Sequence, residues 1–168
     1  KMKVNILQRY CSNVRGTKME IKYFDKEFVE RTKNIVQTQC KDDFEYDVTL
    51  LLNCMLGLVS LPTERTKPGQ NPFKQECVNK LKNMGVIVNS TDDDKTFRTV
   101  KNALSHMNIA PQNKDGVIDS IIIKDRRDRN SQFHTELHFT VQQLKEFALF
   151  VADKHLERYT KKNSTKKK

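Results

Sequence analysis

The sequence predicts a mainly α-helical fold, a four- to five-helix bundle with a β-hairpin before the last helix. Three observations carry this. Apolar residues recur at helical spacing from Phe28 to Met107, the period changes to two past Pro111, and the helical period returns after Thr140. A chain of 168 residues suits one domain, because dividing it would leave two small cores.

The first segment, residues 1–23, mixes Val4, Ile6 and Leu7 with Ser12, Asn13 and Gly16, and reads as an extension that is a strand or disordered. A first helix is expected from Asp25, as N-cap, to Gln39, with Phe28, Val29, Thr32, Ile35 and Val36 as its buried stripe. A second is expected from Phe44 to Leu61; Val48, Leu51, Leu52, Met55, Leu56, Leu58 and Val59 make it apolar around much of its circumference, and Pro62 is expected to end it. Residues 63–72 read as a loop. Phe73, Cys77, Val78 and Leu81 mark a short third helix closing near Gly85.

The fourth helix is expected from about Asp92 to Met107, with Phe97, Val100, Ala103, Leu104 and Met107 on its buried side. A period of two over Val117–Ile123 and Phe133–Phe139, around a charged turn from Lys124 to Ser131, predicts the hairpin. The last helix is expected from Thr140 to about Tyr159, with Thr140 and Gln143 at capping-box spacing. Residues 161–168 carry five lysines and no acid, half of the net charge of +10, and are expected to be a solvated, disordered tail. The basic balance suits an anionic partner such as RNA.

Several classes are disfavoured. The apolar run Val48–Leu61 is too short and too often interrupted for the ~20 residues of a bilayer span, and residues 1–5 lack the apolar stretch of a secretory signal. Cys11, Cys40, Cys54 and Cys77 are widely spaced and read as reduced thiols of a cytoplasmic protein. Neither metal-ligand spacing nor a Gly-rich phosphate loop is present, so no metal and no cofactor is expected. His134 and His138 share a strand face but lie about 13 Å apart, too far for one ion. His155 reads as a surface residue. Arg126, Arg127 and Arg129 could grip phosphate at the hairpin tip, but alternate with Asp125 and Asp128.

The chemistry concentrates on the fourth helix. At ~100° per residue, Arg98, Asn102, Ser105 and His106 fall opposite the apolar stripe, and Asn102 and His106, four apart, lie side by side. Lys101 sits about 140° from His106, so a second element or a second copy would have to bring the two to one phosphate. Histidine titrates near neutral pH, an amide can orient a hydroxyl, and cations hold phosphate. These are the parts for metal-independent RNA cleavage, in which a base takes the ribose 2′-hydroxyl proton and the oxygen attacks the adjacent phosphate.

Lys101-Asn102-Ala103-Leu104-Ser105-His106 resembles the motif of HEPN domains, helical RNases and RNA-binding modules: an Arg, then Asn, Asp or His, then a His four to six residues beyond. Further resemblance lies in residues 24–32, in Val48–Asn53 followed by Leu56-Gly57-Leu58, and in the hairpin-plus-helix ending; it covers about Phe24 to Tyr159 and points to a plasmid- and chromosome-borne bacterial subfamily. The resemblance implies a HEPN-like domain over residues 24–160 and a homodimer whose fourth helices line a shared cleft. It implies an endoribonuclease of toxin or phage-defence type, with RNA and an antitoxin protein as partners. His106 would be general acid/base, Asn102 would orient the 2′-hydroxyl, and Lys101 and Arg98 would bind phosphate, with Ser105 and Arg65 as further phosphate- or RNA-binding candidates. The sequence departs from the motif at Lys101, since lysine's point charge does not reproduce arginine's bidentate fork. A catalytically inactive module that binds RNA, a nucleotide or a partner protein is the alternative reading, and a purely structural dimer is a third.

Overall fold

The structure is a computed structural model and describes residues 24–40, 47–64, 74–88, 93–126 and 132–165; at some of these positions only the backbone is described. The extension 1–23 therefore lies outside the described residues. Among the described residues, five helices and four strands follow in order: α1 Phe24–Thr38, α2 Asp47–Glu64, α3 Lys74–Asn83, β1 Ile87–Val88, α4 Asp93–Ser105, β2 Ile109–Lys114, β3 Val117–Arg126, β4 Phe133–Thr140 and α5 Val141–Thr165. The expected class holds: the fold is mainly α, with antiparallel strands before the last helix.

The apolar periodicity becomes one core. Val29 and Val36 of α1, Leu51, Met55 and Leu58 of α2, and Leu81 of α3 bury with Val100, Ala103 and Leu104 of α4 and Leu144, Phe147 and Val151 of α5. Helix α5 packs along both α1 and α2. Gly57 permits the close approach of α1 and α2, because a Cβ there would stand 2.8 Å from the Phe28 ring. Ile35, expected in the α1 stripe, is instead on the exposed side.

The predicted hairpin is β3–β4, but the sheet is larger, with order β1-β4-β3-β2. Strand β2 joins β3 through Asp115-Gly116, whose φ angles of 53° and 82° give a two-residue turn with both residues left-handed. Asp-Gly between β-capable segments is the local signal for this turn. Ile121 and Ile123 of β3 and Leu137 and Phe139 of β4 face the helices and are fully buried.

Pro62 does not end α2, which continues to Glu64. Proline has no N–H to give the Leu58 carbonyl one turn earlier. His155 Nε2 lies 2.9 Å from that carbonyl oxygen and donates to it. This corrects the surface reading of His155, which is 4% exposed. The acceptor vacated by proline gives the imidazole a buried partner, and burial holds its pKa below the ordinary 6.5.

The capping box of α5 forms as expected: Gln143 N donates to Thr140 Oγ1 at 3.1 Å and Thr140 N to Gln143 Oε1 at 2.9 Å. The helix runs past Tyr159 to Thr165, so its backbone takes in residues 161–165 of the lysine-rich end, while residues 166–168 lie outside the described residues. Lysine is a good helix former and is favoured near the negative end of the helix dipole. No helix among the described residues is long and apolar enough to cross a membrane.

Candidate functional site at the end of helix α4

Helix α4 packs against α2 and α3 on one side and against β3 and β4 on the other. Val100, Ala103 and Leu104 bury as expected, but so do two threonines, Thr96 and Thr99, and the Thr99 hydroxyl finds no hydrogen-bond partner among the described residues. Burying an unpaired hydroxyl costs roughly 1–3 kcal/mol.

Asn102 is not on an open polar face. It is half-buried toward the sheet, and its Nδ2 donates to Asp125 Oδ2 at 3.2 Å. Asp125 lies on β3 in cross-strand register with Thr135, and both are buried. Its other oxygen, Oδ1, accepts from the backbone N–H of Arg126 at 2.9 Å. The expected turn from Lys124 to Ser131 conceals Asp125, because β3 extends to Arg126. Alternation supplies the missed signal: residues 121, 123 and 125 share one strand face, so an acid at the third position is aimed inward.

The helix ends at Ser105, and His106 belongs to the turn that follows. His106 N still bonds Asn102 O at 2.9 Å, Met107 N bonds Leu104 O at 3.4 Å, and Asn108 N bonds Ala103 O at 2.8 Å. This pairing is a Schellman closure, with Met107 left-handed at φ 52°. The turn swings Met107 out of the stripe where the periodicity puts it, and it is 70% exposed. His106 and Ser105 are exposed beside it, and Lys101 is half-buried. The chain then enters β2, where the Asn108 carbonyl accepts Lys124 N and ties the helix end to β3.

Residues 10–162 match the family described as HEPN pEK499 p136. The chain belongs to this HEPN family. The match begins within the extension, earlier than the resemblance from Phe24 onward, and extends two residues into the lysine-rich stretch that starts at Lys161. No curated protein matches the chain, and no solved structure does.

In this HEPN chain the motif residues Lys101, Asn102 and His106 gather at one helix end, as does Ser105. Arg98 is a backbone position of α4 one turn before Asn102, and Arg65 lies outside the described residues. Elsewhere the chemistry is muted. Cys40, Cys54 and Cys77 are buried free thiols, and burial raises all three, Cys54 to about 11 and Cys77 to about 12, so they are poor nucleophiles. On the outer face of the sheet, Glu136 meets Lys124 at 3.1 Å and His138 at 3.5 Å; the Lys124 bond, then the His138 bond, holds its carboxyl below the usual range. The described residues contain no group of three His, Cys, Asp or Glu able to hold a metal ion.

Proposed function

We propose that this HEPN chain is a metal-independent endoribonuclease of toxin or phage-defence type that works as a homodimer. The observation that carries the reading is the convergence of an exposed histidine, an amide held by a buried carboxylate and a lysine at the closing turn of α4. HEPN family membership supports a role with RNA or nucleotides in general; the cleavage step is this proposal's own.

His106 takes the proton of a ribose 2′-hydroxyl as that oxygen attacks the adjacent phosphorus. The P–O5′ bond breaks, leaving a 2′,3′-cyclic phosphate on one fragment. The departing 5′-oxygen receives a proton from the protonated histidine of a second copy. Asn102 orients the hydroxyl, and Lys101, with Arg98 on the same helix, offsets the charge developing on the phosphate. The reading takes a second copy to bring its own histidine and lysine to the same phosphate.

The test is incubation with total RNA and tRNA in EDTA, beside His106→Ala and Lys101→Arg. The expected result is fragments ending in 2′,3′-cyclic phosphate, faster with Lys101→Arg and absent with His106→Ala. No cleavage by either the parent or Lys101→Arg would overturn the nuclease reading. The lysine at the motif's first position favours the second reading, a HEPN module that binds RNA, a nucleotide or an antitoxin-like partner without cutting. Salt-dependent RNA binding without fragments would support it.

A further inference from the structure

The Asp125–Asn102 bond decides which end of the amide faces outward. Asn102 Nδ2 donates to Asp125 Oδ2, so the carbonyl oxygen of that amide points away from Asp125. That oxygen takes no hydrogen bond among the described residues. The carboxylate cannot turn aside, because its other oxygen is engaged by the Arg126 N–H and the residue is 6% exposed. The Arg126 donor is backbone in a strand and has no freedom to flip.

We infer that Asp125 is a positioning residue of the proposed nuclease. It fixes the Asn102 amide so that Oδ1 accepts the Nδ1–H of His106, one helical turn on. The bond selects the imidazole tautomer whose Nε2 is free to take the 2′-hydroxyl proton, as an orienting acceptor does in other acid–base sites. Asn102 then orients the ribose hydroxyl through His106. The pairing follows from spacing, since side chains four residues apart stand about 5–6 Å between Cβ atoms. The bond between the two side chains forms as substrate closes over the turn, catalytic hydrogen bonds being commonly loose before then. This inference rests on the nuclease reading for its rate effect and on the structure alone for the amide's direction.

The chemistry gives a sharp substitution. In Asp125→Asn, the one carbonyl oxygen at position 125 must serve the Arg126 N–H. The new NH2 therefore faces Asn102 and forces that amide to flip, turning its own NH2 toward His106. In the exchange of Asn102→Asp with Asp125→Asn, the amide at position 125 again serves Arg126 and donates to the carboxylate at position 102. The second oxygen of that carboxylate faces His106. Acceptor polarity is restored.

Two readouts test this on the full chain, with melting temperatures confirming that each variant folds. In ¹⁵N spectra of the imidazole with a non-cleavable 2′-deoxy oligonucleotide bound, the Nδ1–H form of His106 is expected to dominate in the parent, fall in Asp125→Asn and return in the exchange. In cleavage assays, kcat is expected to fall about a hundredfold in Asp125→Asn, with KM little changed, and to recover at least about tenfold in the exchange but not in Asp125→Ala. An unchanged tautomer and rate in Asp125→Asn, or an exchange that folds without regaining either, overturns the inference. A parent and a Lys101→Arg form that both fail to cut RNA sink the nuclease reading instead, and the imidazole spectra still decide what Asp125 does.

Discussion

Helices α3 and α4 close on the same pair of backbone bonds, yet α3 places Gly85 at φ 68° where α4 places Met107 at φ 52°. At α3, Val86 N returns to Leu81 O and Gly85 N to Lys82 O, and the chain runs into β1. At α4, the equivalent bonds lead into β2. Glycine takes the left-handed conformation at no steric cost, whereas a residue with a Cβ gives up roughly 1–2 kcal/mol there. The difference teaches that the α4 end is not optimised for stability alone. Backbone in a costly region collects at functional sites, and this one carries the exposed His106 on its shoulder.

The largest expected effect separates the two ends by function. His106→Ala should lower RNA cleavage by about 10²–10⁴, the range for loss of a general acid/base, while changing stability by less than about 0.5 kcal/mol, as for an exposed side chain. Denaturant melts beside a cleavage assay measure both. A large loss of stability with activity retained would make the α4 end a structural cap like that of α3.

The reverse separation is expected at α3. Gly85→Ala puts a Cβ into open space, with no atom within 4 Å, so only the backbone conformation resists it. Stability should fall by about 1–2 kcal/mol, read as a shift in the denaturation midpoint, with cleavage by the folded fraction unchanged. A neutral result would show that the left-handed position is not costly in this fold, and that Met107 stores no strain at the end of α4.

How much of this was legible in the sequence depends on the range of the interaction. The core stripes, the β3–β4 hairpin, the reciprocal Thr140–Gln143 cap and the helix carrying the motif are local patterns, and they appear where spacing puts them. The wheel fails at Asn102 and Met107 for two physical reasons. A helical wheel assumes one buried side, whereas α4 is covered by helices on one side and strands on the other. It also assumes that the helix continues, whereas the closure at His106 redirects the chain. His155 escapes for a third reason: its partner is a carbonyl 97 positions away, released by a proline that local rules read only as a stop.

That carbonyl sits within α2, where the N–H that Pro62 lacks is replaced by a side chain from α5. The pH dependence of folding tests it. Because burial keeps His155 below 6.5 in the native state, the unfolded chain binds more protons as pH falls from 6.5 toward the folded value. The His155 contribution is therefore fully present above pH 6.5 and is lost on acidification, at up to ~1.4 kcal/mol per pH unit. Melting temperatures between about pH 7.5 and 5.5, which brackets the histidine range, should drop in the parent and flatten in His155→Gln, which can still donate to Leu58 O. Glu136, whose carboxyl is held below its ordinary 4.5, acts only at more acid pH and does not confuse the window. Equal slopes in the two proteins would place the acid sensitivity elsewhere.

The smallest expected effect bears most directly on why α4 ends differently. Met107→Gly converts that closure to the α3 type without touching a buried contact, because the Met107 side chain is 70% exposed. Relief of the left-handed strain, less the added freedom of glycine in the unfolded chain, should raise stability by about 0.5–1 kcal/mol. The same freedom loosens the turn that holds His106 against Asn102, so cleavage should fall, though by less than in His106→Ala. A gain in stability together with a loss of rate is the signature of strain kept for positioning. A gain in stability with the rate unchanged would mean that the exposed methionine serves something else at this end of the helix, and sedimentation of Met107→Gly beside the parent would show whether that is the contact between two copies.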